Sequence, residues 1–380
     1  DELNYPDIPI RTPESVLESF ARLQQQISAD GLDVNAVIGP GWQEVSMPVV
    51  ITAPGMYRII NDYTAEQEEI GVSILSSDVY LDGNGHTFTG RSGHESYGVG
   101  MSQEEGFSNI TITNFSTQEC TGGVVCEYGT DILISDTHHA KVTYGITGGS
   151  IHNLVISNNT ITDHPTTDEQ SIITGITVMG GTGVRIEDNR IANLHPDTEW
   201  SESTGITLFS SDDLHLHRNV ITGPIMTGIS STVESMDEPV SCHISDNRIF
   251  DVRLVGMYVD AGVGEVRNNS VMNGTIGVFL TMDESAVLNN TVRGASQRGL
   301  SLQGTNLTLS GNILSENACN LYIEGVDEEG FLHQIDRTNL LDERPLIYLR
   351  EQNNVTIGPA QNPGMVLAVR CQNLTIHDVT

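Results

Sequence analysis

The 380-residue chain carries 50 acidic against 17 basic side chains, a net charge of −33 at pH 7. With Lys141 its only lysine, it offers no basic patch to grip phosphates, which excludes nucleic acid as a partner. No apolar run reaches the roughly 18 residues that a membrane-crossing helix needs.

The chain opens at Asp1 without Met, which reads as a mature form after signal-peptide cleavage and places the protein outside the cell, in the envelope. Residues 1–41 read as an N-terminal extension with a cap helix over 13–29. Thr12 is its N-cap, Pro13 its first helical residue and Gly31 its close. Val16, Leu17, Phe20, Leu23 and Ile27 form one apolar stripe, suited to covering the open end of a sheet. From Trp42 onward short alternating runs begin. In the run at 77–88, His86 sits beside a glycine-rich bend and reads as a turn residue rather than a catalytic one.

From 145 to 323 two phrases recur in step. One ends on a fixed Asn, at 159, 189, 219, 247, 269, 290 and 312. The other is Gly-apolar-x-apolar, beginning at Gly145, Gly175, Gly205, Gly228, Gly256, Gly277 and Gly299. A period of about 20–30 residues marks a repeat architecture. Alternation within each unit means strands, with Ile176, Val178, Val184 and Ile186 facing in. One such unit cannot bury its apolar face alone, whereas stacked coils can. We therefore expect an all-β, right-handed parallel β-helix over 42–380. The fixed Asn suits a left-handed turn between strands, and stacked Asn side chains can hydrogen-bond from coil to coil.

Insertions at 162–174, 192–204 and 231–241 interrupt the coils, and long loops on a rigid scaffold are where contacts collect. The repeat lapses at 325–346, resumes at 345–357 and closes with a last coil, 365–376, ending near Thr380 without a cap. An uncovered coil is a strand edge open to a second copy, which makes Leu374 and Ile376 candidate assembly contacts. The odd set Cys120, Cys126, Cys242, Cys319 and Cys371 supplies disulfide candidates, with one left free or paired between chains.

Outward positions of the glycine strand read Thr147, Thr177, Thr207, Ser230, Tyr258, Phe279, Ser301 and Tyr322. Their later, aromatic part reads as a partner contact or a sugar-stacking surface. His164 and His195, in similarly worded insertions, join Tyr258, Phe279 and Tyr322 as assembly candidates. His215, His217 and His243 share one sheet face and form a candidate zinc or copper site, with Glu187 beside them. The paired His164 and His195, with nearby acids, are a second metal candidate. A divalent cation is the one cofactor class the sequence leaves open. Asp212–Asp213 is the best carboxylate pair, yet it occupies an ordinary coil corner and reads as a turn. Asn109, Asn158, Asn306 and Asn373 head sequons and are glycosylation candidates, although Asn-x-Thr also arises wherever a turn Asn precedes a strand Thr.

The phrase DGNGHTFTG at 82–90, the N-[ILV]-T-[IL] phrases at 109, 306, 354 and 373, and the segment 331–376 resemble the NosD-type family. These repeats are also called carbohydrate-binding and sugar-hydrolase repeats. The wording of 331–376 is similar to large secreted surface proteins of methanogenic archaea, and less closely to methanogen sheath proteins. The resemblance implies a β-helix over about 50–380; it is specific for fold and weak for function. No Gly-His-Gly or Arg-Ile-Lys occurs, which polygalacturonase-like members would carry. We expect a non-enzymatic structural protein that polymerises with copies of itself into an extracellular sheath or surface layer. The alternatives are a secreted carbohydrate-binding or polysaccharide-cleaving β-helix, with cell-surface glycans as partners, and an exported metal-binding module.

Overall fold

The computed structural model describes residues 41–379 apart from 92–93, 164–171, 195–201, 234–239 and the side chains of 103–105. The expected helix at 13–29 lies outside these residues. The chain divides into two compact units, Asp1–Leu208 and Phe209–Thr380.

In the first unit the long strands Ser96–Thr113, Gly122–Ser135, Tyr144–Ser157 and Ile173–Glu187 pair in parallel. Like stacks on like: Val124 aligns with Ile146 and Ile176, and Ile134 with Ile156 and Ile186. All six are buried, and each contributes roughly 1.5–3 kcal/mol relative to an exposed position. The three-residue strands Ser116–Gln118, His138–Ala140, Thr160–Thr162 and Arg190–Ala192 close the coils on another face.

The second unit repeats the scheme with three strands per coil. Thr227–Thr232, Val255–Asp260, Ile276–Thr281, Arg298–Gln303 and Leu321–Glu324 pair in parallel as one face. Parallel ladders beginning at Ser241–Ser245 and Val220–Thr222 make the other two. The architecture is a right-handed parallel β-helix. Its interior is narrow at the recurrent glycines. A Cβ on Gly256 would lie 2.3 Å from Val271 Cγ1 and 2.5 Å from the Gly277 carbonyl oxygen. The glycine therefore recurs because nothing larger fits between one coil's inward Val and the next coil's backbone.

The fixed Asn behaves differently from expectation in one respect. The left-handed turn falls on the residue before it: Asn158, Asp188, Asp246, Asn268 and Asn289 all have φ between 54° and 59°. That corner residue interrupts strand alternation, so the Asn that follows turns inward and is buried. The coil-to-coil hydrogen bonds do form. In the first unit Asn159 donates from N and Nδ2 to Asn189 Oδ1, each at 3.0 Å. In the second, the same double contact links Asn219, Asn247, Asn269, Asn290, Asn312 and Asn339 in sequence.

The repeat does not simply resume after its lapse. Asp342 and Glu343 both take positive φ, 48° and 65°, and form a two-residue hairpin turn. Strand Arg344–Arg350 then pairs antiparallel with Leu340–Leu341. Parallel pairing returns between Arg344–Arg350 and Met365–Val369, around Ile347, Leu349 and Ile357.

Candidate functional site

Alternation along the glycine strands sends every second side chain outward, so register alone builds two adjacent outer columns. The first runs Tyr258, Phe279, Ser301, Tyr322. Tyr258 and Phe279 stack with ring centroids 5.5 Å apart and 15° between planes. Arg298 lays its guanidinium 3.8 Å from the Tyr322 ring centre. All three rings are half-buried. Ser301 is 1% exposed, and its Oγ has no hydrogen-bond partner. The earlier members Thr147 and Thr177 are buried, and the half-buried aromatic part belongs to the second unit.

Two residues further along the same strands comes the second column, Asp260, Thr281, Gln303, Glu324. It lines a cleft of about 550 Å³. The opposite wall comes from the turns that leave each strand, among them Gly262, Asp283, Glu284, Thr305 and Asp327. Asp283 is held: its Oδ1 accepts from Thr305 N and Oγ1, each at 2.7 Å. Gly304 takes φ 130°, and a Cβ there would lie 1.8 Å from the Met282 carbonyl oxygen, so the cleft wall requires glycine at that turn. Burial pushes the Asp260 carboxyl above its ordinary value. Burial, and then the charge of Asp260, push the Tyr258 phenol up.

The other expected sites lie as follows. His215 and His243 are register partners, and their rings stack at 5.0 Å with 22° between planes. Ring nitrogens coordinate in the ring plane, so nearly parallel stacked planes do not aim at one point. His215 Nε2 lies 3.1 Å from Asp213 Oδ1, and His217 Nδ1 2.8 Å from Ser245 Oγ. Among the described residues no group of three or more His, Cys, Asp or Glu is arranged to hold a metal. His164 and His195 lie outside the described residues. Asp212 Oδ1 accepts from Ser241 N and Asp213 N, each at 2.8 Å, and these bonds, the Ser241 one foremost, hold its carboxyl below the ordinary range. That is a turn's use of a carboxylate.

All five cysteines are free thiols, and Cys120, Cys126 and Cys242 are buried. Burial pushes Cys120, Cys126 and Cys242 up to about 12. Cys319 and Cys371 are half-buried. Leu374 packs against the Ile347, Leu349 and Ile357 cluster, while Ile376 is exposed beside Ile357. The sequon residues Asn109, Asn158, Asn306 and Asn373 are exposed corners with positive φ. Three of them already donate Nδ2 to the preceding coil: Asn109 to Asp78, Asn158 to Asp136, Asn373 to Asn354.

A family model described as "Right handed beta helix region" matches residues 69–264 and 174–333. The solved structures that share the fold include the following two. The A-module of mannuronan C-5 epimerase AlgE4 from Azotobacter vinelandii is 14% identical, with 96% of this chain and 93% of that chain covered and a TM-score of 0.52. The A-module of AlgE6 from the same organism is 14% identical, with 86% and 95% covered and a TM-score of 0.51. No curated protein matches the sequence.

Proposed function

The chain belongs to the right-handed β-helix family, and from that premise we propose that it is an extracellular glycan-binding protein that seats a polysaccharide in the cleft of its second unit. One observation carries the reading: a column with aromatic rings on three of its four coils runs beside a hydrogen-bonding column with one member on each. A sugar ring has an apolar C–H face and a rim of hydroxyls. Tyr258 and Phe279, stacked on each other, turn an apolar strip of ring edges toward that face, with Tyr322 continuing it; Asp260, Thr281, Gln303 and Glu324 suit the rim. Strands hold both columns rigidly at roughly 4.8 Å per coil, so little ordering is needed on binding. The two relatives that share the fold are named for an activity on mannuronan, a polysaccharide, which accords with this reading. No cofactor enters the proposal.

A glycosidase needs two carboxyl groups within about 5–9.5 Å. The column pair Asp260 and Glu324, three strand spacings or roughly 14 Å apart, does not supply them. Stacking of copies into a sheath draws no support from these relatives; it would turn the same aromatic column into a subunit contact. The test is binding to a glycan array, followed by Tyr258→Ala with Phe279→Ala. We expect affinity for the bound glycan to fall at least about tenfold, with the thermal transition retained. An array without hits, or unchanged binding by the double variant, would end the proposal. Polymer in negative stain that the double variant abolishes would favour the sheath instead.

A further inference from the structure

The cleft has one sign of charge. Among the described residues its titratable lining is Asp260, Asp283, Glu284, Glu324 and Asp327, with no Lys, Arg or His. Arg298, on the strand that supplies Gln303, is spent on the Tyr322 ring. Asp283 is engaged by the Thr305 backbone of the next coil, and Asp327 by backbone donors of its own turn. Asp260 and Glu324 are not: among the described residues their carboxylates have no hydrogen-bond or ion-pair partner. They stand at the two ends of the outward column, with neutral Thr281 and Gln303 between them.

We propose that this cleft selects a glycan bearing free amino groups, such as a glucosamine polymer, and rejects polyuronates. The inference rests on the glycan-binding reading and adds the charge of the ligand to it. A uronate chain would bring carboxylates against five acids with no cation to receive them, and like charges in a concave, partly dry site repel more strongly than in water. An amino-sugar chain reverses the sign at each contact. Its ammonium groups pair with Asp260 and Glu324 at the ends of the column, and its hydroxyls reach Thr281 and Gln303 between them. A ligand amine near Asp260 also favours the ionised carboxylate that burial disfavours in the free protein.

The experiment is calorimetric titration of the whole chain, at mildly acidic pH and low salt, with three oligosaccharides of equal length. They are a glucosamine oligomer, its N-acetylated counterpart and an oligomannuronate, the last with and without calcium. We expect the glucosamine oligomer to bind at least about tenfold more tightly than the acetylated one, and its advantage to shrink with salt. Asp260→Asn with Glu324→Gln should erase that advantage, so that the variant binds the glucosamine and acetylated oligomers with equal affinity, and Tyr258→Ala should weaken both. Equal or tighter binding of the acetylated oligomer or the mannuronate overturns the inference and leaves the glycan-binding reading standing. So does mannuronate binding that needs calcium, because the acids would then serve a cation. An advantage that survives the double variant is attraction to the acidic surface at large and overturns it too. If none of the three binds and the array is also blank, the glycan-binding reading itself has failed.

Discussion

Asn290 Oδ1 lies 3.0 Å from both the backbone nitrogen and the Nδ2 of Asn269, so one oxygen takes two hydrogen bonds from a single residue on the preceding coil. Asn290 Nδ2 in turn donates to Asn312 Oδ1 and to the Val266 carbonyl. The carboxamide is fully used and wholly inside. Asn290→Ala leaves two buried donors of Asn269 unpaired, at about 1–3 kcal/mol each. We expect a loss of about 2–5 kcal/mol by urea unfolding. Asn289→Gly, at the exposed left-handed corner next door, should change stability by less than about 1 kcal/mol.

Gly277 tests the steric account of the second repeat phrase. A Cβ there would sit 2.3 Å from Val292 Cγ1 and 2.6 Å from the Gly299 carbonyl oxygen. Gly277→Ala should cost about 1–3 kcal/mol through overpacking. Adding Val292→Ala removes the nearer of the two clashing atoms. The double variant should therefore lose less than the sum of the two single changes, as read from a thermodynamic cycle.

His139 predicts a pH dependence. It is fully buried between Thr117 Oγ1 at 2.7 Å and Thr137 Oγ1 at 2.8 Å, and burial pulls its pKa from 6.5 down to about 3. The unfolded chain binds a proton on this ring at a higher pH than the folded chain does. Its contribution is therefore fully present above about pH 6.5 and is lost as pH falls toward about 3, by up to about 1.4 kcal/mol per pH unit. Unfolding midpoints measured between neutral and acidic pH should fall less steeply for His139→Gln, which keeps polar contacts to both threonines without titrating there.

The cysteines divide by reactivity. Thiolate is the reacting form, and it is suppressed where burial holds the thiol near 12, at Cys120, Cys126 and Cys242. Mass spectrometry after brief alkylation of the native protein should find label on Cys319 and Cys371 first. The three enclosed residues should label only after denaturation.

Much of this architecture was legible from the residues. Register followed from alternation and period, so Ser230, Tyr258, Phe279, Ser301 and Tyr322 do fall in one outer column. The Asn stack was legible too, but not which residue takes the left-handed turn. Both Asn268 and Asn269 can occupy that region, and only the inward orientation of the second decides between them. The cleft was missed because Asp260 and Glu324 read as surface acidity in a chain already rich in acids. Extending the aromatic column by two residues along each strand would have found its floor. Its opposite wall is formed by irregular turns, whose paths no period encodes. The hairpin at Asp342–Glu343 was hidden likewise, since neither residue is a favoured turn glycine.

The Asn link spans 21 residues between positions 269 and 290 and 22 between 290 and 312, and it joins each pair through the same two contacts. One circuit of backbone is thus a self-contained cassette whose upper and lower faces are interchangeable. Deleting or duplicating a circuit alters every column by a single rung while leaving the joints on either side unchanged. Groove length in such a gene can therefore evolve in whole-circuit increments through recombination, a route that point substitution does not offer.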